Sequence, residues 1–259
     1  MSLLRLTPVV AGVSLASVLG MLAVREVVPV SELRASSDSL GNYLQTVGGI
    51  YAVLLAFVVY VVWGQFNESR GFVDREAVLL ADVHRIASGL PVTARDEIQR
   101  LLSEYVDAVL AEEWQAMRKG NDAVLDRVGR KLDEVWVEIH RCRPDDECGH
   151  TIYGEVLSRF TDLYDVRANR LTAARTRIPL ALHVLLYAGA IITIGSVYLL
   201  AFDQVWLHAT VTAALSGAIA HVLYIIRDLD DAFGGDWQVS NAPFLRARRS
   251  FSHPSHRPQ

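Results

Sequence analysis

Residues 47–63 read VGGIYAVLLAFVVYVVW, a run with no charged side chain and no proline. The uncharged stretch around it extends from Leu40 to Gln65. A helix rises about 1.5 Å per residue and a bilayer core is about 30 Å thick, so such a run is long enough to cross a membrane. Its apolar residues are continuous rather than alternating, which fits a spanning helix and not a barrel strand. Three further windows are likewise apolar and free of charge: 6–24, 178–202 and 204–226.

The charges fall elsewhere. Of the 259 residues, 51% are hydrophobic and 21% charged. Residues 64–177 hold 17 of the 25 basic and 21 of the 29 acidic side chains. That segregation excludes an ordinary soluble globule and a disordered chain. A net charge of −4 provides no general basic field, so nucleic acid is not an expected partner. Two cysteines exclude a disulfide scaffold. The expected fold is all-α and integral to a membrane, with four transmembrane helices in two hairpins and a cytoplasmic helical domain inserted between helices 2 and 3.

The expected boundaries are 6–65 for the first hairpin (spans 6–24 and 46–64), 66–177 for the helical insert, and 178–226 for the second hairpin (spans 178–202 and 204–226). Residues 227–259 form an acidic segment and a disordered tail. Leu19–Ala23 is a poor cleavage site, so the first apolar run is read as an uncleaved span. Arg167, Arg170, Arg175 and Arg177 precede the third span, and Arg227, Arg246, Arg248 and Arg249 follow the fourth. The positive-inside rule then assigns both termini and the insert to the cytoplasm.

Within the insert, apolar residues recur at three-and-four spacing, which predicts amphipathic helices. Ile98, Leu101, Leu102, Tyr105, Val106 and Val109 mark one; Leu125, Val128, Leu132, Val135, Trp136 and Ile139 mark another. Thr93 with Asp96 resembles a capping box. Long rods are expected to leave span two and to continue into span three at Pro179. The tail from Asn241, rich in Pro, Ser, Arg and His, reads as disordered.

No catalytic signature is present: there is no phosphate-binding glycine loop, no nucleophile elbow and no His-Glu-x-x-His pair. An enzyme is not expected, and no cofactor is implied. His140, Cys142, Cys148 and His150 are weak metal candidates, because five residues separate the cysteines where zinc sites use two to four. Free thiols in an exposed loop are the simpler reading. Adjacent helical residues point about 100° apart, so Glu112 and Glu113 are expected to act separately, one of them pairing with a base such as Arg118. Glu104 reads as a surface charge and Tyr105 as a core edge. His183 and His208 lie near span ends, where interfacial water can solvate them. His221 lies deeper, either hydrogen-bonded between helices or lining an aqueous path. Asp228, Asp230, Asp231 and Asp236 are read as a solvated acidic turn.

The order of parts, two spans, a helical insert, two spans and an acidic Phe-Gly segment, resembles the bestrophins. More closely, it resembles the bacterial bestrophin-like family, a domain of unknown function related to them. The motifs that carry the resemblance are Leu55-Ala56-Phe57, Trp63-Gly64-Gln65-Phe66-Asn67, Glu104-Tyr105 with Glu112-Glu113-Trp114, and Arg167-Ala168-Asn169-Arg170 leading to Arg177-Ile178-Pro179. The resemblance implies a homo-oligomeric, pentameric channel in the bacterial inner membrane, a lipid bilayer as its surroundings and inorganic anions as its passive cargo. It implies that span two lines an apolar neck at i, i+4, i+8, which falls on Gly49, Val53 and Phe57. Gly49 departs from the bulky residue the family carries there. Tyr60 and His221 are further pore or gating candidates. The calcium control of eukaryotic relatives is not carried over, because the continuous acidic run is missing. The competing reading is a non-conducting membrane scaffold or signalling protein whose helical insert docks a partner.

Overall fold

The structure is a computed structural model that describes residues 3–29, 33–34, 37–144 and 146–251. Among these residues every regular element is helical. In chain order they are α1 (Leu3–Val27), α2 (Ser37–Ile86), α3 (Val92–Ala108), α4 (Trp114–Lys119), α5 (Asp122–Arg141), α6 (Glu147–Arg175), α7 (Leu180–Tyr198), α8 (Val205–Asp230) and α9 (Ala242–Phe251). Four apolar tracts are long enough to cross a membrane: one each in α1, α2 and α8, and a fourth that ends in α7. The chain divides into two compact units.

Unit one comprises residues 1–64, 177–231 and 235–237. Its large exposed side chains include Leu15, Leu19, Val184, Ile191 and Trp206, an exterior suited to hydrocarbon rather than water. Helices exposed to lipid gain little by burying apolar surface and must hold together by close approach and hydrogen bonds. At Gly217 of α8 an added Cβ would lie 2.9 Å from Ser14 Oγ of α1, and that hydroxyl donates to the Ala213 carbonyl at 3.2 Å. The Tyr51 hydroxyl of α2 donates to the Leu186 carbonyl of α7 at 2.9 Å, and the Tyr51 ring occupies the space a side chain at Gly189 would need. Arg25 donates to the carbonyls of Phe202 and Asp203, and Arg34 pairs with Asp203, so the end of α1 meets the α7–α8 turn.

Span three is shorter than the expected 178–202. α6 stops at Arg175, residues 176–179 are non-helical, and α7 starts after Pro179. Proline excludes the helical conformation from the residue before it and lacks an N–H, so the single rod expected here is two helices. The freed Ile178 N–H donates to Asp230 Oδ1 at 2.8 Å. The 19 residues of α7 still reach about 28 Å.

The acidic segment is likewise more than a solvated turn. Asp228 accepts the N–H groups of Asp236 and Trp237 at 2.6 and 2.8 Å, Asp236 accepts from the Tyr224 hydroxyl, and Asp231 pairs with Arg177. Each carboxylate therefore fixes a specific donor.

Unit two comprises residues 65–176, 232–234 and 238–259. Leu80 and Val83 of α2, Ile98 and Leu102 of α3, Leu132 and Ile139 of α5, and Phe160 and Leu163 of α6 share one buried core. Trp136, counted on the apolar stripe of α5, is 41% exposed, with its ring against His140. The expected capping box does not form: α3 begins at Val92 behind Pro91, with no side-chain cap. α3 and α4 are joined by a π-helical segment, Val109–Glu113. α4 ends at Gly120, whose φ of 64° closes the helix with a left-handed residue.

The tail reading requires correction. α9 packs into this core, with Phe244 fully buried and its ring 5.9 Å from that of Trp114. Pro243, Phe244, Ala247 and Phe251 place the apolar residues on one helical face, and the Arg and Ser between them lie outside it. Residues 252–259 of the expected tail, and Asp145, lie outside the described residues. Phe244→Ala is expected to destabilise the protein by about 3–5 kcal/mol. A thermal unfolding midpoint in detergent equal to that of the unsubstituted chain would show that α9 does not belong to the core.

Candidate functional site

Two features of α2 stand out, one in each unit. In unit one, Tyr51, Val58 and Val62 are buried, whereas Val53, Phe57 and Tyr60 are 71%, 58% and 76% exposed. At about 100° per residue the buried set and the set Gly49, Val53, Phe57 and Tyr60 lie on nearly opposite sides of the helix. Gly49 is also exposed. The four residues form an apolar stripe with one phenol and no charge.

In unit two, Glu76 of α2 is fully buried. Arg170 of α6, also fully buried, donates from Nε to Glu76 Oε2 at 2.6 Å and from Nη2 to Glu113 Oε1 at 2.5 Å. Arg167 donates to the other oxygen of Glu113 at 2.6 Å, and the Tyr105 hydroxyl donates to Glu76 Oε1 at 2.6 Å. The Met117 sulfur accepts from Arg170 Nη1, and the Phe244 ring covers the guanidinium at 5.5 Å. Two cations face two carboxylates in a site closed to water. Burial alone would lower the Arg170 pKa, but Glu76 and Glu113 outweigh it and hold the group well above its ordinary value. Burial first, then the charges of Glu76 and Glu113, push the Tyr105 hydroxyl well above the tyrosine range.

This geometry overturns several sequence expectations. Glu113 pairs with Arg167 and Arg170, and Glu112 with Arg127; neither relies on Arg118. Tyr105 lies at the centre of the core, not at its edge. Arg170 and most of Arg167 are buried and matched, so they add little to a positive-inside field. His208 is buried, with Nε2 at 2.9 Å from the Val197 carbonyl, so interfacial water is not its main partner. His183 is partly exposed, 4.0 Å from Asp230 Oδ2. His221 is exposed on the single chain.

The metal candidates are not gathered into a site. Among the described residues no three His, Cys, Asp or Glu side chains converge for an ion. Cys142 and Cys148 are both free thiols, but Cys142 is buried, contrary to the exposed-loop reading, and burial pushes its thiol up. The His140 ring packs against Trp136 instead.

The chain matches the bestrophin-like domain over residues 11–244. It belongs to the bestrophin-like family. Its fold is that of a bacterial bestrophin homologue from Klebsiella pneumoniae: a point-mutant crystal structure superposes with a TM-score of 0.74 at 17% identity, covering 94% of this chain and 99% of that one. A second crystal structure of that homologue gives 0.70 at 17% identity, covering 93% and 98%. No curated protein matches. The motifs that suggested the family include four residues of the buried cluster, Tyr105, Glu113, Arg167 and Arg170. What those motifs did not reveal is Glu76, which stands in an unremarkable Arg75-Glu76-Ala77 sequence. Its only sequence signal is a charge on the otherwise apolar face containing Val73, Leu80 and Val83.

Arg170→Met leaves buried Glu76 without a cation and Glu113 with Arg167 alone, and is expected to cost about 3–5 kcal/mol. Adding Glu76→Gln and Glu113→Gln should restore much of the loss, whereas no recovery would assign the effect to packing. The cluster also sets an alkaline limit. A folded-state pKa raised above the unfolded value gives stability that is full below about 10 and falls as pH rises beyond it. Tyr105→Phe should flatten that decline above pH 10 in thermal unfolding, even though it lowers stability at neutral pH.

Proposed function

We propose that this bestrophin-like protein forms a ring, a homopentamer, with the Gly49, Val53, Phe57 and Tyr60 face of α2 turned to the axis, and conducts ions passively. The observation that carries the reading is that stripe: Gly49, Val53 and Phe57 exposed on the single chain at i, i+4 and i+8, with Tyr60 beside them, opposite the buried Tyr51, Val58 and Val62. Cyclic symmetry turns one exposed residue per chain into a complete ring around an axis. A ring of Phe57 side chains is an apolar constriction, which gates by dewetting. At the Gly49 level the absence of a side chain leaves the path wide, so Val53 and Phe57 set the narrowest region, with Tyr60 adding a ring of hydroxyls.

The permeant ions are anions. Residues 40–65 contain no carboxylate that would concentrate cations, and amide and hydroxyl dipoles are the polar groups available along the path. The bilayer is the bacterial inner membrane, with both termini and the unit-two helices on the cytoplasmic side, a reading supported by Arg175 and Arg177 before span three and by Arg227, Arg246, Arg248 and Arg249 after span four. In this arrangement the helical insert of residues 66–177 lies in the cytoplasm.

Reconstitution into liposomes tests the reading. Chloride or iodide flux should exceed the protein-free leak, and Phe57→Ala should raise it severalfold by removing the constriction. Sodium flux in place of anion flux would reverse the selectivity. No flux, together with a silent Phe57→Ala, would leave a membrane scaffold as the better description.

A further inference from the structure

Unit one contains a cavity that the permeation reading does not use. It has a volume of about 270 Å³ and runs between α1, α7 and α8. Its walls are apolar, with Val9 and Val13 from α1, Ala190 and Ile194 from α7, and Ala220 and Leu223 from α8. From Ile219 to Arg227 it follows α8 for about 12 Å. One end is different: Tyr224 and Arg227 line it there.

Arg227 is the first charge after the uncharged run 204–226, which places it at headgroup depth. It is exposed, and among the described residues it has no hydrogen-bond or ion-pair partner. The acids nearest in sequence are all engaged elsewhere. Asp228 holds the N–H groups of Asp236 and Trp237, Asp230 holds that of Ile178, and Asp231 pairs with Arg177. Asp236 accepts from Tyr224. A narrow apolar cleft with a single unmatched cation at its polar end has the charge pattern of one kind of ligand.

We propose that this cleft binds one acyl chain of an anionic phospholipid, with the lipid phosphate on Arg227. A helix from a second copy fits less well, since it would bring apolar surface against the guanidinium and leave the charge unmatched. A free anion would satisfy Arg227 but leave the apolar length of the cleft unused. The site is independent of permeation, and its occupancy is read without measuring flux.

The test is native mass spectrometry of the full chain in detergent, with phosphatidylglycerol and phosphatidylcholine of identical acyl chains as probes. The unsubstituted protein should retain phosphatidylglycerol preferentially. Arg227→Gln should reduce that preference about fivefold while phosphatidylcholine binding stays the same, the factor that corresponds to about 1 kcal/mol for one basic side chain at a membrane surface. Val13→Trp, which narrows the cleft at an already part-exposed position, should lower retention of both lipids. An unchanged preference in Arg227→Gln overturns the proposal. So does release of phosphatidylglycerol by inorganic phosphate, which would assign Arg227 to a free anion. A loss of oligomer mass in Val13→Trp with lipid retention intact would assign the cleft to a second copy.

Discussion

A guanidinium with no access to water must be matched by carboxylates or not be charged at all, and Arg170 is such a group. The geometry that matches it determines much of unit two. Glu76 comes from α2, Glu113 from the π-helical segment, Tyr105 from α3, and Met117 and Phe244 from α4 and α9. Each is held at hydrogen-bond or ring-contact distance. The π-helical segment has a direct role in this, since widening the helix turns Glu113 inward at a point where Glu112 remains outside to meet Arg127. Hydrophobic burial alone tolerates sliding between helices. A bidentate, fully buried ion pair does not, because a shift of one ångström leaves a charge uncompensated in low dielectric.

Unit one is built on different physics. Its outer surface is apolar, so the hydrophobic effect does not distinguish inside from outside once the surroundings are hydrocarbon. The contacts that fix it are correspondingly polar or very close: Ser14 to a carbonyl of α8, Tyr51 to a carbonyl of α7, and ring against glycine at Gly189. The packing demand on α2 is therefore confined to the Tyr51, Val58 and Val62 face. The opposite face is left without a structural task within the chain. That freedom leaves Val53, Phe57 and Tyr60 available for the proposed axis.

The same contrast explains what was legible in the sequence. Uninterrupted apolar runs reveal α1, α2 and α8 directly, and three-and-four spacing reveals α3 and α5, because backbone satisfaction and a buried stripe are one-dimensional requirements. Pro179 is visible as well, but a single proline does not tell how many preceding residues leave the helix. α9 is hidden by composition, since Arg246, Arg248 and Arg249 mask the Phe244–Ala247 face. The charge cluster was missed for a deeper reason. Glu76 and Arg170 are 94 positions apart, and nothing in a local window distinguishes a buried carboxylate from a solvated one. Glu113 and Arg170 attracted attention as family motifs, while their shared role emerged only from the fold.

The acidic segment shows how one residue type performs unlike tasks at short range. Asp228 and Asp230, two positions apart near the end of α8, both accept backbone N–H groups, yet the donors come from opposite directions: the following loop for Asp228 and the break before α7 for Asp230. Asp231 pairs with Arg177, on the residue just before the Ile178 N–H that Asp230 holds. The break at residues 176–179 thus frees the Ile178 N–H, which Asp230 accepts, while Asp231 fixes the Arg177 side chain beside it. A non-helical stretch beside a span is stable only when its freed groups are satisfied in this way. With its acidic neighbours so engaged, Arg227 is the one cation of that turn with no described counterion, which makes its charge the residue of a packing solution and the natural place for an external anion.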